Sequence, residues 1–329
     1  MLTCFIKFGD GRIVRNTDPD TLALALRDTK ASFWLDMQQP SKEEYALLDE
    51  VFGFHPLAIE DSMHHVQRPK IESYSHVGDS ARHGYFYMVI HGPNLDDTDD
   101  VCTRELDMFV SERYLVTIHD EPVKSITDLF GRAQADCSVV LDPGIDMLLY
   151  TVLDRLIDDY QPILDRFGEE LDDIEDQSVT NPIPPLLTRI SLQKRHLLHL
   201  RRIVGPQRDV MAQLTRGEVP FIRESARVYF RDIQDHLNRA VETIELYRDL
   251  VQGARDIYMS SVSNNLNQIM KTLTIITVIA LPLTVITSFF GMNFELDFLK
   301  SPTTFWYAIV ITLVLDAFLL WMFWRKKWI

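Results

Sequence analysis

Seven residues near the C-terminus share one line on a helix: Asn267, Met270, Thr274, Thr277, Leu281, Thr284 and Ser288. Their spacings alternate between three and four, the repeat that keeps side chains on one face. The line mixes an amide and hydroxyls with Met270 and Leu281 and carries no charge. Neutral oxygens in such a seam serve one of two purposes. They hydrogen-bond a neighbouring helix, or, with several parallel copies around an axis, they line a channel whose apolar rings gate by dewetting. The spacing fits both.

Two apolar runs must hold that line. Leu273 to Phe290 has no charged residue, and Phe305 to Trp324 has one, Asp316. A bilayer core about 30 Å thick takes about 20 helical residues at roughly 1.5 Å each. The pairing of the runs, the interfacial Trp306, Tyr307, Trp321 and Trp324, and the terminal Arg325-Lys326-Lys327 predict a membrane hairpin rather than two buried core helices. Basic residues stay on the cytoplasmic side. The reading is therefore a multi-pass protein of the cell (inner) membrane, with both termini cytoplasmic and the loop 291–304 outside. Met1 to Phe8 reads as a strand, so the first span is expected to do the targeting. A carboxylate in mid-span is costly; Asp316 is expected to pair with a Thr or Ser of the first span.

The chain has 329 residues and a net charge of −15. The acidic excess argues against nucleic acid and suits cationic partners. Cys4, Cys102 and Cys137 are scattered, without metal-site or disulfide spacing. No phosphate loop, HExxH or GxSxG occurs, and the chain is read as no enzyme.

The fold expected is α+β/α. An α/β domain spans 1–142, with strands at Leu2-Phe8, Phe33-Leu35, Tyr85-His91, Leu106-Val110 and Tyr114-His119. Ser41 caps a helix with Glu44 three residues on, and a short helix follows from His55. Segments 75–84 and 92–100 read as loops. A helical hairpin is expected over 143–221: an acidic helix from Asp146 to Ser178, a break at Asn181 to Pro185, and a basic helix from Leu186 to Thr215, kinked at Gly205-Pro206. A very long stalk helix then starts near Ile222 and enters the membrane at about 272, ending at 290; 305–324 is the second span and 325–329 a basic tail.

Phe290-Gly291-Met292-Asn293-Phe294, placed at the end of the first of two C-terminal spans, resembles the signature of the CorA family of magnesium transporters. The likeness covers nearly the whole chain. His55-Pro56-Leu57, Glu60-Asp61, Gln67-Arg68-Pro69-Lys70, Pro206-Gln207-Arg208-Asp209-Val210, Ser260 to Asn264 and Met270-Lys271 are similar to the family's pattern. The outer loop lacks the Met-Pro-Glu-Leu element of many members, and 75–84 is longer.

The resemblance implies a funnel-shaped homopentamer in the lipid bilayer, with the first span lining the pore. Gly291, Met292 and Asn293 become the selectivity filter. A ring of neutral Asn293 carboxamides can hold hydrated Mg2+ without stripping its water, which that ion sheds reluctantly. Glu295 and Asp297 become the outer mouth, where they concentrate cations. The resemblance also implies an intersubunit regulatory site at Asp61 and Asp256, and a second at Glu60, Asp232 and His236. Cytosolic Mg2+ bound there holds the channel shut. Co2+ is a further cargo. One alternative is a Zn2+ transporter of the same fold, coupled to protons. Another is a membrane-tethered metal sensor without transport.

Overall fold

The computed structural model describes residues 1–64, 68–74, 84–93, 103–292 and 301–328. The elements, in order, are β1 (Leu2–Lys7), β2 (Ile13–Val14), α1 (Pro19–Arg27), β3 (Ser32–Gln38), α2 (Lys42–Glu50), α3 (Pro56–Met63), β4 (Lys70–Tyr74), β5 (Tyr85–Pro93), β6 (Thr103–Val110) and β7 (Tyr114–His119). Helices follow: α4 (Lys124–Ala135), α5 (Ser138–Leu141), α6 (Ile145–Asp158), α7 (Tyr160–Thr180), α8 (Pro184–Arg216), α9 (Arg227–Gly291) and α10 (Pro302–Arg325). They divide into two compact units, Met1–Glu175 with Pro185–Ala254, and Asp176–Pro184 with Arg255–Ile329.

The first unit is built on a seven-stranded sheet ordered β2-β1-β3-β7-β6-β5-β4. Only β3 and β7 run parallel; the other neighbours are antiparallel. Strands β5 and β7 are buried along their whole length, as their mostly apolar and aromatic sequences demand. Alternation along β3 sends Phe33, Leu35 and Met37 into a core shared with Leu22, Leu48 and Ala58. Trp34 points the other way and stacks on Phe130 of α4 at 4.5 Å. Phe54, just before α3, stacks on Phe109 of β6 at 4.2 Å.

Several expectations are corrected. The sheet gains β2 and β4, and Gly92 and Pro93 extend β5 rather than opening a loop. Helix α1 is an addition the sequence reading missed, although its Asp18 cap and Pro19 at the first helical position signal it. The acidic helix is not continuous: α6 stops at Asp158 and α7 starts at Tyr160. Pro162 explains the break, because it has no N–H to offer the carbonyl four residues back. Helix α8 carries its assignment through Pro206, and α9 begins at Arg227, five residues after Ile222. The acidic–basic complementarity does form: Arg189 Nη2 lies 2.9 Å from Asp173 and 3.6 Å from Glu170. Arg201 instead pairs with Glu245 of α9 at 2.6 Å.

Candidate cation pathway and regulatory carboxylates

Within the second unit, α9 carries the polar seam to its end at Gly291. All seven seam residues are exposed on the single chain. The face covered by α10 is a different one: Lys271, Ile275, Val278, Ile286 and Phe290 are partly covered and Pro282 is buried. It lies about 100° around the helix from the seam, one residue's rotation. Helix α10 answers with Thr304, Ala308, Thr312, Asp316, Leu319 and Phe323, spaced by four and three. Two contacts fix the antiparallel register. The rings of Phe290 and Phe305 meet edge to face at 6.5 Å, and Lys271 Nζ donates to the Lys327 carbonyl at 3.1 Å. Lys271 also sits 6.0 Å from the Trp328 ring, so the basic groups gather at one end of the hairpin.

The seam threonines have one hydrogen-bonding job inside the helix. Thr274, Thr277 and Thr284 each donate to the carbonyl four residues back, at 2.8 Å. Their donors are thus used and their oxygen lone pairs remain. Gly291 ends α9 and Met292 follows it, half exposed; Asn293, Glu295 and Asp297 lie outside the described residues. Asp316 stands on the face toward α9, level with the turn around Pro282 by the register above. Its Oδ1 is enclosed and has no hydrogen-bond partner among the described residues. The expected pairing with a Thr or Ser of the first span is absent, because apolar side chains occupy that face of α9.

The first unit holds the other carboxylates. Helix α3 is pinned at both ends. His55 caps it with Nδ1 accepting from the Leu57 N–H at 3.2 Å, and its own N–H donates to the Tyr85 hydroxyl at 2.7 Å. At the far end Tyr45 donates to the Ser62 carbonyl at 2.8 Å. This leaves Glu60 exposed and Asp61 half-buried beside the start of β4. There Lys70 Nζ lies 2.5 Å from Asp61 Oδ2 and 3.1 Å from Glu72 Oε1. Below them Asp107 is fully buried and accepts from the Tyr87 hydroxyl; burial above all, then the charge of Glu105, pushes its carboxyl well up.

Asp232 and His236 do come together on α9, with Nε2 3.9 Å from Asp232 Oδ1. The nearer partner is Asp158 at the end of α6, 2.8 Å from His236 Nδ1. Asp154, one turn back, is pushed up by burial and then by the charge of Asp158. Glu60 has no side-chain ion pair among the described residues, so one chain does not complete the Glu60–Asp232–His236 set. Asp256 is exposed on α9 in the second unit. Among the described residues, no three His, Cys, Asp or Glu side chains of one chain converge to hold a metal. Asp158 and Lys70 were missed as neighbours because the fold brings them from distant or differently read segments.

Gln207 was quoted only as part of a motif, yet it ties the unit together. Its Oε1 accepts from the His91 N–H at 2.7 Å, and its Nε2 donates to the Tyr160 hydroxyl at 3.1 Å. Tyr160 in turn donates to the His91 carbonyl at 2.9 Å. Strand β5 and helices α7 and α8 are thereby locked through three buried residues.

The family model of the CorA-like Mg2+ transporter protein matches residues 29–327. The chain belongs to this family. Among its relatives, the metal ion transporter YfjQ of Bacillus subtilis is 35% identical over 80% of this chain and 79% of its own. The cobalt/magnesium transport protein CorA of Thermotoga maritima is 31% identical over 97% of this chain and 89% of its own. The complete structure of the CorA magnesium transporter from Methanocaldococcus jannaschii superposes with a TM-score of 0.81, at 24% identity, covering 99% of this chain and 98% of that one. The mixed sheet, the long stalk helix and the two apolar C-terminal helices are thus the CorA fold. The chain is a CorA-type divalent cation transporter and not an enzyme, which sets aside the tethered sensor. Its candidate membrane spans are the C-terminal part of α9 and Thr303–Arg325, with mean hydropathies of 2.2 and 2.0.

Proposed function

We propose that the chain passes hydrated Mg2+, and Co2+ as a second cargo, through a pore lined by the α9 seam of five copies in the cell (inner) membrane, with both termini cytoplasmic. One observation carries this reading. The seam occupies a face of α9 that α10 leaves uncovered, and its threonine hydrogens are already given to the helix. A hydrated cation points water hydrogens outward, so it needs acceptors on the wall; lone pairs without competing donors supply them. Met270 and Leu281 form the apolar constrictions. Gly291, Met292 and Asn293 form the filter, and Glu295 and Asp297 the outer mouth, as the resemblance implies.

The carboxylates supply the gate. Asp61 and Asp256 of adjacent copies share a cytosolic Mg2+, and Glu60, Asp232 and His236 hold a second ion between copies. Emptying these sites leaves like charges facing one another and favours the open state. Among the described residues, Asp232 and His236 come together without Glu60, which supports a site shared between copies.

Flux into liposomes tests the proposal, with Mg2+, Co2+ and Zn2+ compared. The parent is expected to pass Mg2+ and Co2+. Asn293→Ala is expected to lower Mg2+ entry by more than about tenfold, the loss of over ~1.4 kcal/mol of ion stabilisation. Parent-like entry in Asn293→Ala would sink the filter assignment. Faster Zn2+ than Mg2+ passage would turn the reading to the zinc transporter.

A further inference from the structure

We propose that Lys70 is a tethered stand-in for the regulatory cation: its ammonium occupies Asp61 when no metal is bound, and a divalent ion must displace it. The inference rests on the reading of Asp61 as a gating carboxylate.

The geometry gives Lys70 two seats. Its Nζ contacts Asp61 Oδ2 at 2.5 Å and Glu72 Oε1 at 3.1 Å, and lies 5.4 Å from the centre of the Tyr87 ring. Both members of the Asp61 pair are partly covered, with side chains 26% and 30% exposed. The stem of Lys70 is fixed because it opens β4, where it pairs with Val89 of β5. Glu72 is held in place in its turn, as the Tyr74 hydroxyl donates to its Oε2 at 2.7 Å. An ion arriving at Asp61 therefore does not strand a buried ammonium. Lys70 keeps Glu72 and the Tyr87 face, and only its bond to Asp61 is exchanged for the metal.

That exchange has a direct consequence. An ammonium and a divalent cation compete for one carboxylate, so Lys70 raises the Mg2+ concentration needed to close the gate. Glu72 acts in the opposite sense. By offering Lys70 an alternative seat, it eases release of Asp61 and lowers the closing concentration.

The test uses the full chain in liposomes and reads the internal Mg2+ that halves uptake. Lys70→Gln is expected to lower that midpoint about fivefold, the size of a partly exposed ion pair. Lys70→Arg keeps a charge and is expected to remain within about twofold of the parent. Glu72→Gln is expected to raise the midpoint, which tests the proposal even if Lys70→Gln fails to fold. A midpoint that stays put or rises in Lys70→Gln, or one that stays put in Glu72→Gln, overturns the proposal. The double variant Asp61→Ala, Asp256→Ala reports on the underlying site. If it loses inhibition while the Lys70 and Glu72 midpoints do not move, the site stands and the stand-in falls. If it is inhibited like the parent, the site reading itself fails and takes this inference with it.

Discussion

One helix works in two settings. Over Arg227–Ala254, α9 buries Phe230, Ile233, Leu237, Ala240, Ile244, Val251 and Ala254, spaced so that one stripe faces the protein. Beyond Arg255, the apolar content rises and burial nearly vanishes: Leu273, Ile276 and Leu281 are each about 60% exposed, and Pro282 is the buried exception in the span. In the first half, hydrophobicity marks an inside. In the second half it marks a surface, and the residues that stand out are the polar ones. The difference lies in the solvent, since lipid tails offer Leu273 what a protein core offers Leu237.

Truncating one residue in each region puts the comparison at risk. Phe109 is fully buried against Phe54, so Phe109→Ala is expected to cost about 3–5 kcal/mol. Leu273 is 61% exposed on the chain, and Leu273→Ala should cost less than about 1 kcal/mol. Urea midpoints of the detergent-purified proteins decide it; equal losses would mean that the spans are packed like the sheet core.

A smaller effect probes how each region treats polar groups. Gln207→Leu leaves the buried His91 N–H without its acceptor, at a cost of about 1–3 kcal/mol. The same urea titration should show the loss. No loss would mean that the lock among β5, α7 and α8 is ornamental, and the contrast with the back-bonded threonines of α9 would weaken.

The smallest effect is a pH dependence confined to the first unit. His119 is buried: burial pulls its protonation down, but the hydrogen bond and charge of Asp36, with the Glu121 carbonyl, outweigh it and raise the pKa above 6.5. A raised folded-state value means that the imidazolium stabilises fully below the unfolded value, and that this support is lost as pH rises through the folded one. The parent's urea midpoint should therefore fall on the alkaline side of 6.5 relative to His119→Gln. Parallel curves for the two proteins would show that the Asp36–His119 pair adds nothing.

Much of this was readable in advance, and for local reasons. Ser41 with Glu44 announced a capping box that forms, and Pro56 opened α3 where a proline is tolerated. The two spans followed from length and charge. Less legible were Pro162, one residue inside a strongly periodic acidic run, and β4, whose Lys70–Tyr74 stretch alternates too weakly to stand out as a strand.

The one-dimensional pattern determined the CorA likeness, the two spans and the uncharged seam, because motif order, apolar length and helical period are properties of neighbours along the chain. Which face of α9 meets α10, that Lys70 reaches Asp61, that Asp158 takes His236, and that Asp316 finds no hydroxyl among the described residues were decided only when the chain folded. Each depends on where separate elements come to lie, and a side chain's charge or polarity in the sequence does not say what will stand opposite it.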